Sequence, residues 1–393
     1  MAALPLAESS NLAHLLAWLS LPKMGPSRLS KLLENESAEN IWVKLCHADR
    51  ADVNTTVDTL GAVSPECQAL AKQAEVTELQ MLKWCHLAKQ IQPDELLLAY
   101  QEQAVAVAEL GSALYPSRLS GDLEPPAVLF WQGDIGILQD YPTVAIVGTR
   151  SCSNYGQDIA FEMGHSLSAA GVCVVSGLAL GIDAAAHKGV LSAGGAPPVA
   201  VVGSGLNMIY PKANRRLWEE VAAKGLLLSE TPLNIAPDRW RFPARNRIIA
   251  ALSDVVVVVE SMAKGGALFT AEEAAQRDKP VFAVPGPIRS PASVGTNRLL
   301  AEGCMPLCDV NDILVALGIP VSTPPTELNL ETADLDQAKL SLLEAFSWQP
   351  ASLNQLVDRT GMLLSDAALN LDELLSSGHI VKKGLWYERS HKK

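Results

Sequence analysis

The 393 residues are 48% hydrophobic and 19% charged, which excludes extended disorder and fibrous classes and gives two or three domains with a sizeable core. No apolar run approaches the ~18–20 residues of a membrane span, and the first thirty residues lack the parts of a secretory signal, so a cytoplasmic chain is expected. The net charge of −12 weighs against a polyanionic partner only as a global sum: residues 1–140 carry 9 Lys+Arg against 18 Asp+Glu, residues 141–310 carry 15 against 14, and residues 311–393 carry 7 against 11.

In chain order, residues 10–75 read as a helical module. Leu12, Leu15, Leu16 and Leu19 have helical spacing, residues 21–26 (Leu-Pro-Lys-Met-Gly-Pro) break it, and Leu29, Leu32 and Leu33 resume it. Such a turn can present backbone N–H groups to a phosphate, as in helix-hairpin-helix modules, but the acidity of the segment favours a plain bundle. Helical or mixed structure continues to about residue 110, which makes 1–110 an N-terminal helical domain. A strand at 128–131 then joins a central domain over 111–318.

From Thr143 short apolar runs at 144–147, 172–175, 199–202, 226–228, 255–259 and 281–284 alternate with segments of helical composition. Continuous apolar strands separated by helices specify a mainly parallel sheet covered on both faces, an extended doubly wound α/β fold. Residues 319–334, rich in Pro, Ser and Thr, read as a linker. Residues 335–393 read as three helices and a hairpin, a winged-helix-like domain. Its third helix carries Asp366, Asp372 and Glu373 and no Lys or Arg between Ser365 and Ser377, which argues against duplex reading through that helix. Lys382, Lys383, Lys392 and Lys393 leave weaker contacts by the wing or tail open. Seven scattered cysteines without a C-x-x-C pair fit neither a disulfide framework nor a zinc site.

In doubly wound folds ligands bind beyond the carboxyl ends of the strands. The first strand is followed by Gly148-Thr149-Arg150-Ser151, the second by Ser176-Gly177 and then Asp183 and His187. Gly203-Ser204-Gly205 and Tyr210-Pro211-Lys212 follow the third, and Glu260, Lys264-Gly265-Gly266 and Thr270 follow the fifth. Together these loops make an oxyanion-binding rim, although G-x-G-x-x-G is incomplete and a Walker A sequence is missing.

Arg239, Arg241, Arg245 and Arg247 fall within nine residues. Pro243 suits a helix start, which would set Arg245, Asn246 and Arg247 in or near the first turn, where an anion would offset their clash with the helix dipole. Trp240 and Phe242 offer faces for base stacking. The competing structural account is an arginine network holding Glu230, Asp183 or Glu260, and both accounts are expected to hold in part. Asp183 and His187 at i, i+4 fit helix packing better than acid–base work, and Glu230 and Glu260 lack a marked nucleophile or metal partner. The expected site is therefore one for a phosphate-bearing polyanion, with no catalytic or metal residues: Gly148, Thr149, Arg150, Gly177, Lys212, Arg241, Phe242, Arg245, Asn246, Arg247 and Lys264. The rivals are a nucleotide-processing enzyme, such as a nucleoside-monophosphate hydrolase holding one phosphate in the same loops, and an adaptor acting through the acidic ends.

Over residues 115–310 these motifs resemble the DNA-processing protein A (DprA/Smf) family. They are Val144-Ala-Ile-Val-Gly148-Thr149-Arg150, residues 175–187, Gly203 through Pro211, Leu228-Ser-Glu230, Phe242-Pro-Ala-Arg245-Asn-Arg247, residues 265–271, Val284-Pro-Gly286 and residues 295–300. The resemblance implies an extended Rossmann domain between sterile-alpha-motif-like helices and a winged-helix-like domain. It further implies a homodimer formed through the Rossmann domain, without a cofactor, that binds and protects single-stranded DNA and helps load a RecA-type recombinase in natural transformation. Thr149 and Arg150 take the positions of the family's phosphate-binding Gly-Ser/Thr-Arg, and Phe242, Arg245, Asn246 and Arg247 those of its Phe-Pro-x-Arg-Asn-Arg segment. Gly265-Gly266-Ala267 departs from a Ser-Gly-Ser-like loop, which removes hydroxyl donors there.

Overall fold

The computed structural model describes residues 6–47, 64–320, 336–346 and 350–389. The chain divides into two compact units, Met1–Val321 and Ser322–Lys393.

Among its described residues the first unit opens with six helices, Leu6–Ser20, Pro26–Leu33, Ala38–His47, Pro65–Gln73, Glu78–Ala88 and Pro93–Glu102. Their starts are written in the sequence. Proline occupies the first turn of three of them, and the Ser64 and Thr77 side chains accept the otherwise unpaired N–H groups of Cys67 and Gln80. Trp18 centres the bundle, edge-on to Trp42 and Trp84 at centroid distances of 5.4 and 6.4 Å. The indoles of Trp18 and Trp84 donate to the carbonyls of Ala38 and Pro22, so burial leaves neither N–H unpaired.

A nine-stranded sheet follows: β1 Ala106–Glu109, β2 Val128–Gly133, β3 Thr143–Val147, β4 Cys173–Ser176, β5 Val199–Val202, β6 Leu226–Ser229, β7 Val255–Val258, β8 Val281–Ala283 and β9 Met305–Pro306. Their order is β1-β2-β6-β5-β4-β3-β7-β8-β9. The strands β6 to β9 of that order are parallel, and the β1–β2 hairpin joins the β6 edge antiparallel. Strands β3 to β8 are buried along their whole length, as continuous apolar runs demand. The chain runs outward from β3 through β6, then returns and runs the other way from β7. That reversal sets the topological switch point between β3 and β7, where the carboxyl-end loops part and leave a crevice.

Two strands depart from the expected series. β1 lies within the stretch read as helical or mixed, and β9 is a two-residue edge strand, exposed at both positions. The linker expected over 319–334 falls almost wholly outside the described residues.

The second unit has helices Gln337–Ala345, Leu353–Thr360 and Leu364–Ser376 and strands β10 Ala351–Ser352, β11 Ile380–Lys383 and β12 Trp386–Arg389 in antiparallel order β10-β12-β11. Ser352 and Gln355 form a capping box, and Gly361 closes that helix in the left-handed conformation. Lys392 and Lys393 lie outside the described residues.

Candidate nucleic-acid interface

The crevice between β3 and β7 is built by close approach of main chain. At Gly148 a Cβ would stand 2.5 Å from Ile182 Cγ1 and 3.0 Å from the Glu260 carbonyl oxygen, so only glycine lets β3 turn there. The next residue, Thr149, donates its N–H to that same carbonyl at 2.8 Å. Glu260 is buried, and its carboxylate accepts from the Ser153 N–H at 2.8 Å and the Ser153 hydroxyl at 2.5 Å. Ser153 in turn caps the Asn154–Ala169 helix. Glu260 is therefore the clamp that holds the Thr149–Ser151 loop against the end of β7.

Arg150 leaves this loop exposed, without a carboxylate partner among the described residues, its guanidinium 4.6 Å from the centre of the Phe242 ring. Phe242 opens the Arg241–Leu252 helix and lies 5.8 Å, centre to centre, from Tyr210. Across the crevice, Lys264 is exposed and also lacks a carboxylate partner among the described residues. It precedes the Gly266–Ala275 helix, whose amino end carries no side-chain cap. Uncapped N–H groups at a helix start, one lysine and one arginine make a cradle for an oxyanion. Thr270 adds a buried hydroxyl with no hydrogen-bond partner among the described residues.

Two connected hollows share Arg150, Ala179, Phe242 and Arg245. The larger carries the polar cradle of Thr149, Ser151, Lys264 and Gly265. The smaller is bounded by Leu180, Val202, Gly203, Tyr210 and Pro211. A charged cradle beside an apolar, aromatic hollow matches the two halves of a nucleotide.

Arg245 forms the floor. It is 5% exposed, and it donates to the carbonyl oxygens of Gly177, at 2.8 Å, and of Val201. A Cβ at Gly177 would stand 2.1 Å from the Arg245 guanidinium, so that glycine makes room for the charge. Asp183 accepts from the N–H groups of Gly177 and Ala179 at 3.1 and 3.4 Å. Burial pulls the Arg245 guanidinium down to about 10, with Asp183 opposing the shift, so Arg245 stays cationic at neutral pH. Burial likewise raises the Asp183 carboxyl, against the pull of Arg245. Asn246 links floor and rim, accepting from Arg245 Nε at 3.1 Å and donating to the Gly266 carbonyl at 3.1 Å.

The crevice thus gathers Gly148, Thr149, Arg150, Gly177, Phe242, Arg245, Asn246 and Lys264. It does not gather Arg241, Arg247 or Lys212. Arg247 is 7% exposed and turned to the other side of its helix, ion-paired with buried Glu230 and donating to the Glu124 carbonyl at 2.5 Å. Arg241 stacks on Trp240 at 4.4 Å and donates to Thr231 at 3.3 Å. Lys212 is exposed beside Pro211 without lining either hollow. Trp240 is also turned away from the crevice, so the aromatic partner of Phe242 is Tyr210. The sequence marks Tyr210 only as the end of the Gly203–Ser204–Gly205 loop, and Ser151, Ser261 and Thr270 are further lining residues outside the expected set.

Three of the four residues weighed for catalysis, Glu230, Glu260 and Asp183, have structural partners. Glu230 is ion-paired with Arg247, and the Glu260 carboxylate accepts hydrogen bonds from the Ser153 N–H and hydroxyl. His187 is fully buried and held neutral, pushed down to about 3 by burial, while Asp183 is spent on two backbone N–H groups. Among the described residues no group of three His, Cys, Asp or Glu could hold a metal, and no helix is long and apolar enough to cross a membrane.

A family model described as DNA recombination-mediator protein A matches residues 106–318. DNA processing protein DprA of Bacillus subtilis is 37% identical over 222 residues, which are 56% of this chain and 74% of that protein. Protein Smf of Synechocystis is 30% identical over 417 residues, 97% of this chain and 99% of that protein. The X-ray structure of DNA processing protein A from Streptococcus pneumoniae aligns with a TM-score of 0.61 at 30% identity, covering 77% of this chain and 97% of that one.

Proposed function

The chain belongs to the DNA recombination-mediator protein A family, and from that premise we propose that it binds single-stranded DNA across the β3/β7 crevice without chemical turnover. The observation that carries this reading is Arg150: an exposed guanidinium lying on the Phe242 face, between an oxyanion cradle and an apolar hollow. Phosphates would sit against Arg150, Lys264 and the uncapped helix start, and an unstacked base would lean on Phe242 and Tyr210, a contact worth ~1–3 kcal/mol per base. Bases paired in a duplex are not free to enter such a hollow, so single strands are favoured. The absence of turnover is supported by the commitment of Glu230 and Glu260 to structural bonds. Protection of the strand, its handover to a RecA-type recombinase in transformation, homodimerisation through the sheet domain and a cytoplasmic location complete the proposal.

Anisotropy of labelled oligothymidylates over a salt series tests it. With three phosphates neutralised, affinity should fall by about 2 log units per log unit of salt. Tight binding of a mononucleotide, with no gain on lengthening the strand, would transfer the crevice to the enzymatic reading.

A further inference from the structure

At the back of the oxyanion cradle, the Gly266–Ala275 helix carries a polar group that the fold itself does not use. Thr270 is 1% exposed yet lines the crevice, and its hydroxyl has no hydrogen-bond partner among the described residues. Its place in the helix is an apolar one, because Ala267, Ala271 and Ala274 on the same side are buried in the core of the sheet domain. A helical threonine commonly turns its hydroxyl back to the carbonyl four residues earlier, here that of Gly266. No such bond forms, and that carbonyl accepts from the Asn246 amide at 3.1 Å instead. A valine would fill the same volume without burying an unpaired hydroxyl, which lowers stability. Thr270 is thus a cost that no described residue offsets.

The surroundings of the hydroxyl show what would offset it. No side chain caps the helix start, and a Cβ at Gly266 would meet nothing within 4 Å, so the main chain there is open to a ligand. The charged groups lining this hollow are Arg150, Arg245 and Lys264 against Asp183 alone, an excess of two positive charges. The Ser261 hydroxyl, also on the lining, is already engaged with the Met262 carbonyl at 3.1 Å. An internal phosphodiester carries a single negative charge and a sugar on either side, so it lies along the rim and presents two free oxygens. A terminal monoester carries a charge of about −1.5 to −2 at neutral pH. It has three free oxygens and one sugar, and it can enter point first until an oxygen reaches a donor that solvent does not.

We propose that the crevice holds a terminal phosphate monoester of the strand, the Thr270 hydroxyl donating to its innermost oxygen while Lys264, Arg150 and the Gly266 helix start hold the other two. This rests on the single-strand reading of the same crevice and adds to it a preference for phosphorylated ends.

The test is competition of unlabelled strands against a labelled oligothymidylate on the full chain. The competitors carry a 5′-phosphate, a 3′-phosphate, or hydroxyls at both ends with one further nucleotide, whose diester balances the charge. A strand phosphorylated at one of its ends should bind at least about tenfold more tightly than the hydroxyl-ended strand. Thr270→Val should bring that ratio below about twofold and Thr270→Ser should keep it. The thermal midpoint of Thr270→Val should hold or rise, since a buried unpaired group has gone. A merely structural hydroxyl gives the reverse, a lower midpoint with the ratio unchanged, and would overturn the proposal. So would a ratio near one in the unaltered chain, with salt-dependent binding, and hence the single-strand reading, left intact. If dTMP, a monoester without a strand, competes as well as the phosphorylated strand, the site belongs to a free nucleotide and both readings fall.

Discussion

Arg150 and Arg245 lie in the same crevice but carry different physical burdens. Arg150 is exposed and unpaired with any described carboxylate, so replacing it removes charge from the ligand without orphaning a buried group. Arg150→Ala is expected to weaken oligothymidylate binding by about 1.5–3 kcal/mol, the worth of a charged hydrogen bond, and to leave the thermal midpoint in place. Arg245→Ala strips the donors from two buried carbonyls and the cation from beside Asp183, so it should cost about 2 kcal/mol or more of stability as well as affinity. Equal stability in the two variants would show that the floor has been misread. His187 offers a pH test. Its folded value is depressed to about 3 from an ordinary 6.5, so the stability of the neutral ring is fully present above pH 6.5 and is lost as pH falls towards the folded value. Between pH 8 and pH 5 the chain should lose about 2 kcal/mol more than a His187→Leu variant in urea unfolding; parallel losses would refute the depressed value.

At the scale of elements, the helix after β6 shows what could be read from the sequence and what could not. Its arginines are visible as a cluster, and the apolar runs of β3 to β8 are visible as strands because each is buried on both faces. Side-chain direction was not visible. Arg245 and Arg247 are two residues apart, which on a helix is roughly 200° of rotation, so they cannot share a face: one meets the crevice, the other Glu230. The register of that helix, fixed by packing on the sheet, also turned Trp240 away. β1 and β9 were illegible for another reason. Each is a short edge element defined by its partner, Ala106 opposite Trp131 and Met305 beside Phe282, with no periodicity long enough to announce it. The junction of β3 and β7 yields its own prediction. Glu260→Gln keeps the side chain's shape but weakens the bonds to Ser153. We expect a loss of about 1–3 kcal/mol in stability together with weaker single-strand binding, because the Thr149–Ser151 loop is no longer held; full affinity in that variant would mean the clamp does not shape the site.

For the whole molecule, the question is whether the crevice can exist without the helices that precede it. Tyr100, at the end of the amino-terminal bundle, stacks on Phe130 of β2 with centroids 5.1 Å apart and a tilt of 17°. Its hydroxyl accepts from the Leu233 N–H at 3.1 Å, between β6 and the arginine-bearing helix. The bundle and the β2–β6 side of the sheet therefore share one apolar core, which runs from Trp18 through Phe130 to Trp218. A fragment beginning at Ala106 retains every crevice residue and all nine strands, yet it uncovers Phe130 and leaves the Leu233 N–H without its acceptor. Beginning at residue 115 would also remove β1 and open the β2 edge, a template for aggregation. The fragment from Ala106 to Pro320 should thus unfold at lower temperature than the full chain and self-associate, while its folded fraction still binds oligothymidylate with the same salt dependence. Loss of binding by a fragment that melts like the full chain would show instead that the helices contribute to the DNA site directly.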